Sequence, residues 1–148
     1  MVVFSPFVSS RALEQIAETS NKRLALVSRD SELAQLGRKP APGFEQYFTL
    51  HEAAQDFDED DAEQAAPEAR DLHAKLYLLK RGWRADVILG SANATNAAIV
   101  SGSNVEVLAH LSGQWSKIGK PGDILKPQEE GGMGSLFVPF DWADEPLD

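Results

Sequence analysis

The sequence predicts an α/β fold with a mixed, mostly parallel sheet flanked by helices. Three observations lead there: the opening alternates short apolar runs with helical periodicity, two apolar runs mid-chain are separated by a tight turn, and the last third is rich in Gly, Pro and charge. VVFSPF, from Val2, is a strand closed by Pro6, and SSRALEQIAETS follows with a serine able to cap a helix and with Leu13, Ile16 and Ala17 at helical spacing. RLALVS, from Arg23, is a second buried strand, and DSELAQLG a short helix capped by Asp30 and stopped by Gly37. This β-α-β-α rhythm belongs to parallel sheets. RKPAPG is a loop and EQYFTL a short strand, after which residues 51–70 lose apolar periodicity and are expected to form a mobile acidic excursion. LHAKLYLLK and RADVILGS form a hairpin through Arg81, Gly82 and Trp83. ATNAAIVSG is a short helix, NVEVLAHLS another strand, and the irregular tail, about residues 113–148, wraps the surface before one last docked segment.

A chain of 148 residues with 43% hydrophobic content builds one domain with a substantial core. The absence of cysteine excludes disulfides and thiolate metal sites and points to a reducing compartment. No apolar run reaches membrane-spanning length, and MVVFSPFVSSRALEQ lacks the basic lead of a secretory signal, so the expectation is a soluble, cytoplasmic protein with no membrane partner. The net charge of -9 is concentrated between His51 and Asp71, where nine carboxylates face Arg70 alone. That segment reads as a solvated surface loop or, less simply, as a cover over a cationic groove. From His73 to Lys126 the balance reverses, seven cations against three carboxylates.

In DLHAKLYLL, strand alternation places His73 and Lys75 on one face, with Ala74, Leu76 and Leu78 on the other. A His-x-Lys triplet arises by chance in about one chain of this size in six, and a lone strand histidine is usually just a satisfied or exposed side chain. Gly90-Ser91-Ala92-Asn93 at the end of the next strand makes chance a poor account, although alone it could be a strand exit with locally bonded Ser and Asn. Glu106 then falls in the following strand, opposite Val105 and Val107; a carboxylate facing a core needs water or a partner such as His73. His51 and His110 read as ordinary surface or packing residues.

These residues resemble the phospholipase D superfamily, whose signature is His-x-Lys, usually an Asp shortly after it, then Gly-Ser and an Asn. The match here is His73, Lys75, Gly90, Ser91 and Asn93, and the span from about Leu72 to Leu111 looks like the catalytic half of the nuclease-like members. Lys80 occupies the expected Asp position, which tells mainly against lipid hydrolysis. The resemblance implies a phospholipase D-like half-domain and a metal-independent phosphodiesterase without cofactor. It implies His73 as the nucleophile that forms a phosphohistidine, Lys75 and Asn93 as donors to the phosphoryl oxygens, Glu106 as acceptor from the other imidazole nitrogen, and Ser91 holding the network. Thr95 is at most an outer hydroxyl, while Lys80, Arg81 and Arg84 would attract phosphate. Since one histidine cannot readily be both nucleophile and leaving-group acid, the resemblance also implies a homodimer, or a second half in a longer chain. DNA is the expected substrate; a non-catalytic dimerisation or nucleic-acid-binding module is the alternative.

Overall fold

The computed structural model describes residues 1–38, 40, 42–50, 73–126 and 133–142. The acidic segment 51–70 expected to be mobile, and His51 with it, therefore lie outside the described residues. Among the described residues seven strands form one mixed sheet: β1 (Val2–Phe4), β2 (Ala25–Val27), β3 (Gln46–Leu50), β4 (Leu76–Arg81), β5 (Arg84–Gly90), β6 (Leu108–Gln114) and β7 (Phe137–Pro139), in the order β6-β5-β4-β1-β2-β3-β7. Helices α1 (Ser10–Ala17) and α2 (Asp30–Leu36) make the crossovers that leave β1, β2 and β3 parallel.

The α/β class and the mixed sheet hold, but the expectation of a mostly parallel sheet does not. β4 pairs antiparallel with β1 and β5, β5 with β6, and β3 with β7. The reason is local for β4–β5, where Arg81 pairs with Arg84 across a two-residue turn too short for anything but an antiparallel return. Gly82 takes the left-handed φ of 59° that this turn requires.

Ser9 caps α1, its Oγ accepting from the Ala12 amide at 3.4 Å. Asp30 is not the cap of α2. The extended residue before the helix is Arg29, and Asp30 opens the first turn, where with Glu32 it complements the helix dipole. One sheet face carries Val3, Leu26, Tyr77 and Leu79 beneath Leu13 and Ala17 of α1 and Leu33 of α2. The other carries Val2, Phe4, Val27 and Leu78, covered by Leu24, Ile124, Leu125 and Phe137. Each fully buried Leu or Phe contributes about 1.5–3 kcal/mol by leaving water.

The described parts of the tail hold more regular structure than its composition suggests. β6 runs into α3 (Trp115–Ile118), a 3₁₀ turn spans Pro121–Leu125, and β7 docks against β3 with Phe137 at 5.4 Å from the Phe4 ring. No helix among the described residues is long and apolar enough to cross a membrane.

Candidate active site

β4 begins at Leu76, so His73 and Lys75 precede the strand rather than lie within it. The ladder nevertheless reaches Lys75, whose carbonyl accepts from the Gly90 amide at 3.3 Å. By two-residue alternation Lys75 shares the helix-covered face with Tyr77. Its ammonium donates to the His73 carbonyl at 2.9 Å, and His73 itself is exposed. The tip of β4 thus stands beside the tip of β5.

Gly90 is there because β6 comes too close for a side chain. A Cβ would meet the Val107 carbonyl at 2.1 Å and Leu108 Cα at 3.0 Å. Just beyond, the Ser91 amide donates to the Val107 carbonyl at 3.1 Å and the Val107 amide donates back to Ser91 Oγ at 2.9 Å. This reciprocal pair brings Glu106 to Ser91, whose hydroxyl donates to the Glu106 carboxylate in a short hydrogen bond. Glu106 is accordingly not in the strand predicted for it but two residues before β6, and the carboxylate expected to bond the imidazole is engaged by Ser91.

Asn93 is held from both sides. Ala92 and Ala94 are buried; the Ala92 carbonyl accepts from the Tyr77 phenol at 2.7 Å, while the Ala94 amide donates to Ser5 Oγ at 2.8 Å and its carbonyl accepts from the Ser9 amide at 2.8 Å. Burial, aided by the Glu106 charge and only partly opposed by the hydrogen bond to Ser5, pushes the Tyr77 phenol well above its ordinary pKa, so it remains a donor. Fixed in this way, Asn93 keeps its Oδ1 buried and without a hydrogen-bond partner among the described residues. Leaving such a group unbonded costs about 1–3 kcal/mol, a cost more readily understood at a binding site than in a packing element. Thr95 follows as the extended residue before a π-helical turn, Asn96–Val100, that replaces the predicted helix; its side chain makes no capping bond. Such turns are rare and gather at functional sites.

The structure therefore brings His73, Lys75, Ser91, Asn93 and Glu106 to one end of β4 and β5. It does not bring Lys80, Arg81 and Arg84 there. These occupy the hairpin end, about 17 Å along the sheet from Lys75 at the usual rise per residue. Arg84 lies 5.4 Å from the Trp83 ring and donates to Ser112 at 2.6 Å.

Sequence reasoning missed two participants. Tyr77 and Ser5 anchor the Asn93 loop, and the available signal was polar groups inside apolar strands, which need partners when buried. His110 is not an ordinary surface residue: its Nε2 lies 3.0 Å from buried Asp86. Among the described residues no cluster of three or more His, Asp or Glu is arranged to hold a metal ion. Comparison with protein-family models, curated proteins and solved structures finds no match to this chain.

Proposed function

We propose that the chain is a metal-independent phosphodiesterase, a phospholipase D-like nuclease acting on DNA, with its site completed by a second copy or a second half. The observation that supports this reading is the placement at one sheet end of an exposed histidine, a lysine, an asparagine held in a fixed loop with its Oδ1 buried and unbonded among the described residues, and a serine-bound carboxylate. Phosphodiesters resist attack because their oxygens repel nucleophiles and the leaving alkoxide is poor. A neutral imidazole nitrogen of His73 attacks phosphorus, the bond to the leaving oxygen breaks, and a second copy's His73 gives that oxygen its proton. Water then attacks phosphorus and gives a proton to the second copy's His73, which had lost one in the first step; the phosphorus–nitrogen bond breaks, and the first imidazole is regenerated. Lys75 and Asn93 stabilise the five-coordinate phosphorus with charge and an amide donor. Ser91 holds Glu106 until imidazolium charge develops nearby.

The test is cleavage of DNA or a bis-aryl phosphodiester in excess chelator. The wild-type protein cuts, and His73→Ala loses about 100-fold or more in kcat. Activity that requires a divalent ion overturns the mechanism. One rival is a non-catalytic nucleic-acid-binding module, favoured because among the described residues no hydrogen bond joins the His73 ring to Glu106, whose carboxylate is bonded by Ser91. That reading predicts salt-sensitive binding with no turnover at any concentration.

A further inference from the structure

The other end of the sheet holds a second cationic feature. An open cleft of about 780 Å³ lies between the segment after α1, the β4–β5 turn and the 3₁₀ turn. Lys22, Lys80, Arg81, Lys120 and Lys126 line it, against Glu18 and Asp123. Arg81 is paired with Asp86 and Lys126 with Asp123, each at 2.9 Å. Lys22, Lys80 and Lys120 make no ion pair among the described residues. Lys80 and Lys120 hold their ammonium groups 5.1 and 4.4 Å from one ring, that of Trp115, so like charges are gathered around a single indole. In a chain of net charge -9, such a concentration calls for an anion.

The form of the anion follows from what surrounds the cleft. Helix α1 turns its C-terminal end toward it, since Glu18 and the residues after it form one wall. That end presents carbonyls and negative dipole, the opposite of the amide-rich helix start that grips an isolated phosphate. The positive charge comes instead from flexible side chains on three separate segments, an arrangement suited to a chain of phosphates. At the rim, next to Gly82, Trp83 is 59% exposed with Arg84 stacked 5.4 Å from its centre. An exposed aromatic beside a basic groove is the recurring platform for unpaired bases.

We infer that the hairpin end of the sheet binds single-stranded nucleic acid, with Lys22, Lys80 and Lys120 taking backbone phosphates and Trp83 stacking a base. This stands apart from the hydrolysis reading: a strand is held here whether or not it is cut. The experiment measures anisotropy of a labelled single strand of about twenty nucleotides across a salt series. The Lys80→Gln/Lys120→Gln double variant weakens binding about tenfold at low salt and flattens the logarithmic salt slope by about 1.4, two phosphate contacts at about 0.7 each. Trp83→Ala weakens it about fivefold or more, and Trp83→Phe restores most of the loss. Lys117→Gln, the same charge change outside the cleft, binds as the wild type. Far-ultraviolet circular dichroism confirms the fold of each variant. Wild-type affinity in the double variant overturns the inference, as do an equal loss in Lys117→Gln, equal affinity for a duplex, or inorganic pyrophosphate displacing the strand at equimolar concentration.

Discussion

Asp86 is the most constrained ionisable side chain among the described residues, and its surroundings determine how it responds to pH. It is 2% exposed in the middle of β5, yet its cover is a single layer of polar groups. Arg81 donates to Oδ2 at 2.9 and 3.2 Å, and His110 Nε2 lies 3.0 Å from Oδ1, these two partners themselves being exposed. The Ser112 hydroxyl, then Arg81, and to a lesser degree His110 hold the carboxyl well below its ordinary pKa of 3.8, outweighing the opposing effect of burial. A pKa depressed on folding means the unfolded chain binds the proton first as pH falls. The stabilisation is then complete above about pH 5 and is lost as pH drops toward the folded value. Asp86→Asn should therefore cost about 1–2 kcal/mol in urea unfolding at neutral pH, with the gap to wild type closing below about pH 3. A gap independent of pH would show that the carboxylate is not held charged. Little of this was legible beforehand: Asp86 looked like one charge in an alternating strand, and only the cross-strand register shows that Ser112 faces it.

At the scale of elements, the β5–β6 approach is what assembles the candidate site. The Gly90–Val107 contact sets the distance at which Ser91 reaches Glu106. Gly90→Ala must push the β6 entry outward, because the obstructing atoms are backbone rather than the ends of flexible side chains. Overpacking of this kind costs about 1–3 kcal/mol. The expected outcome is a lower denaturation midpoint with faster exchange of the Ser91 and Val107 amides, whose partners are each other's atoms. Unchanged exchange at those two amides would refute the linkage. The β4–β5 hairpin was readable because apolar alternation and a Gly-containing turn agree with each other. The start of β6 was not: Val105 and Val107, 98% and 77% exposed, mimic the alternation of a half-buried strand while lying outside it. The hydrophobic signal is the same whether such a valine faces a core or solvent.

At the scale of the whole molecule, the sheet order joins segments remote in sequence. β4 inserts beside β1 and β7 beside β3, pairings that no local period encodes and that make the sheet more antiparallel than its opening suggests. The order leaves β6 at an edge of the sheet, exposed along nearly its whole length and with no strand among the described residues on its outer side. Around it Leu89, Val105, Val107, Leu108 and Leu111 are all exposed, the first four close to the candidate site. An edge of this kind, with no lysine or proline within β6 to block pairing, favours association. If a second copy covers it, the two sites come to one interface, and a stable contact needs about 1,200–2,000 Å² of total buried surface. Sedimentation should then give twice the 16.1 kDa chain mass at micromolar concentration. Leu111→Lys, which puts a charge on the edge away from Ser91 and Glu106, should shift the protein toward single copies. Under the phosphodiesterase reading, specific activity should rise with protein concentration in the wild type and at higher concentrations in the variant, with the same plateau. A wild-type protein that remains a single copy throughout, and whose specific activity does not change on dilution, would mean that one chain's histidine works without a second copy.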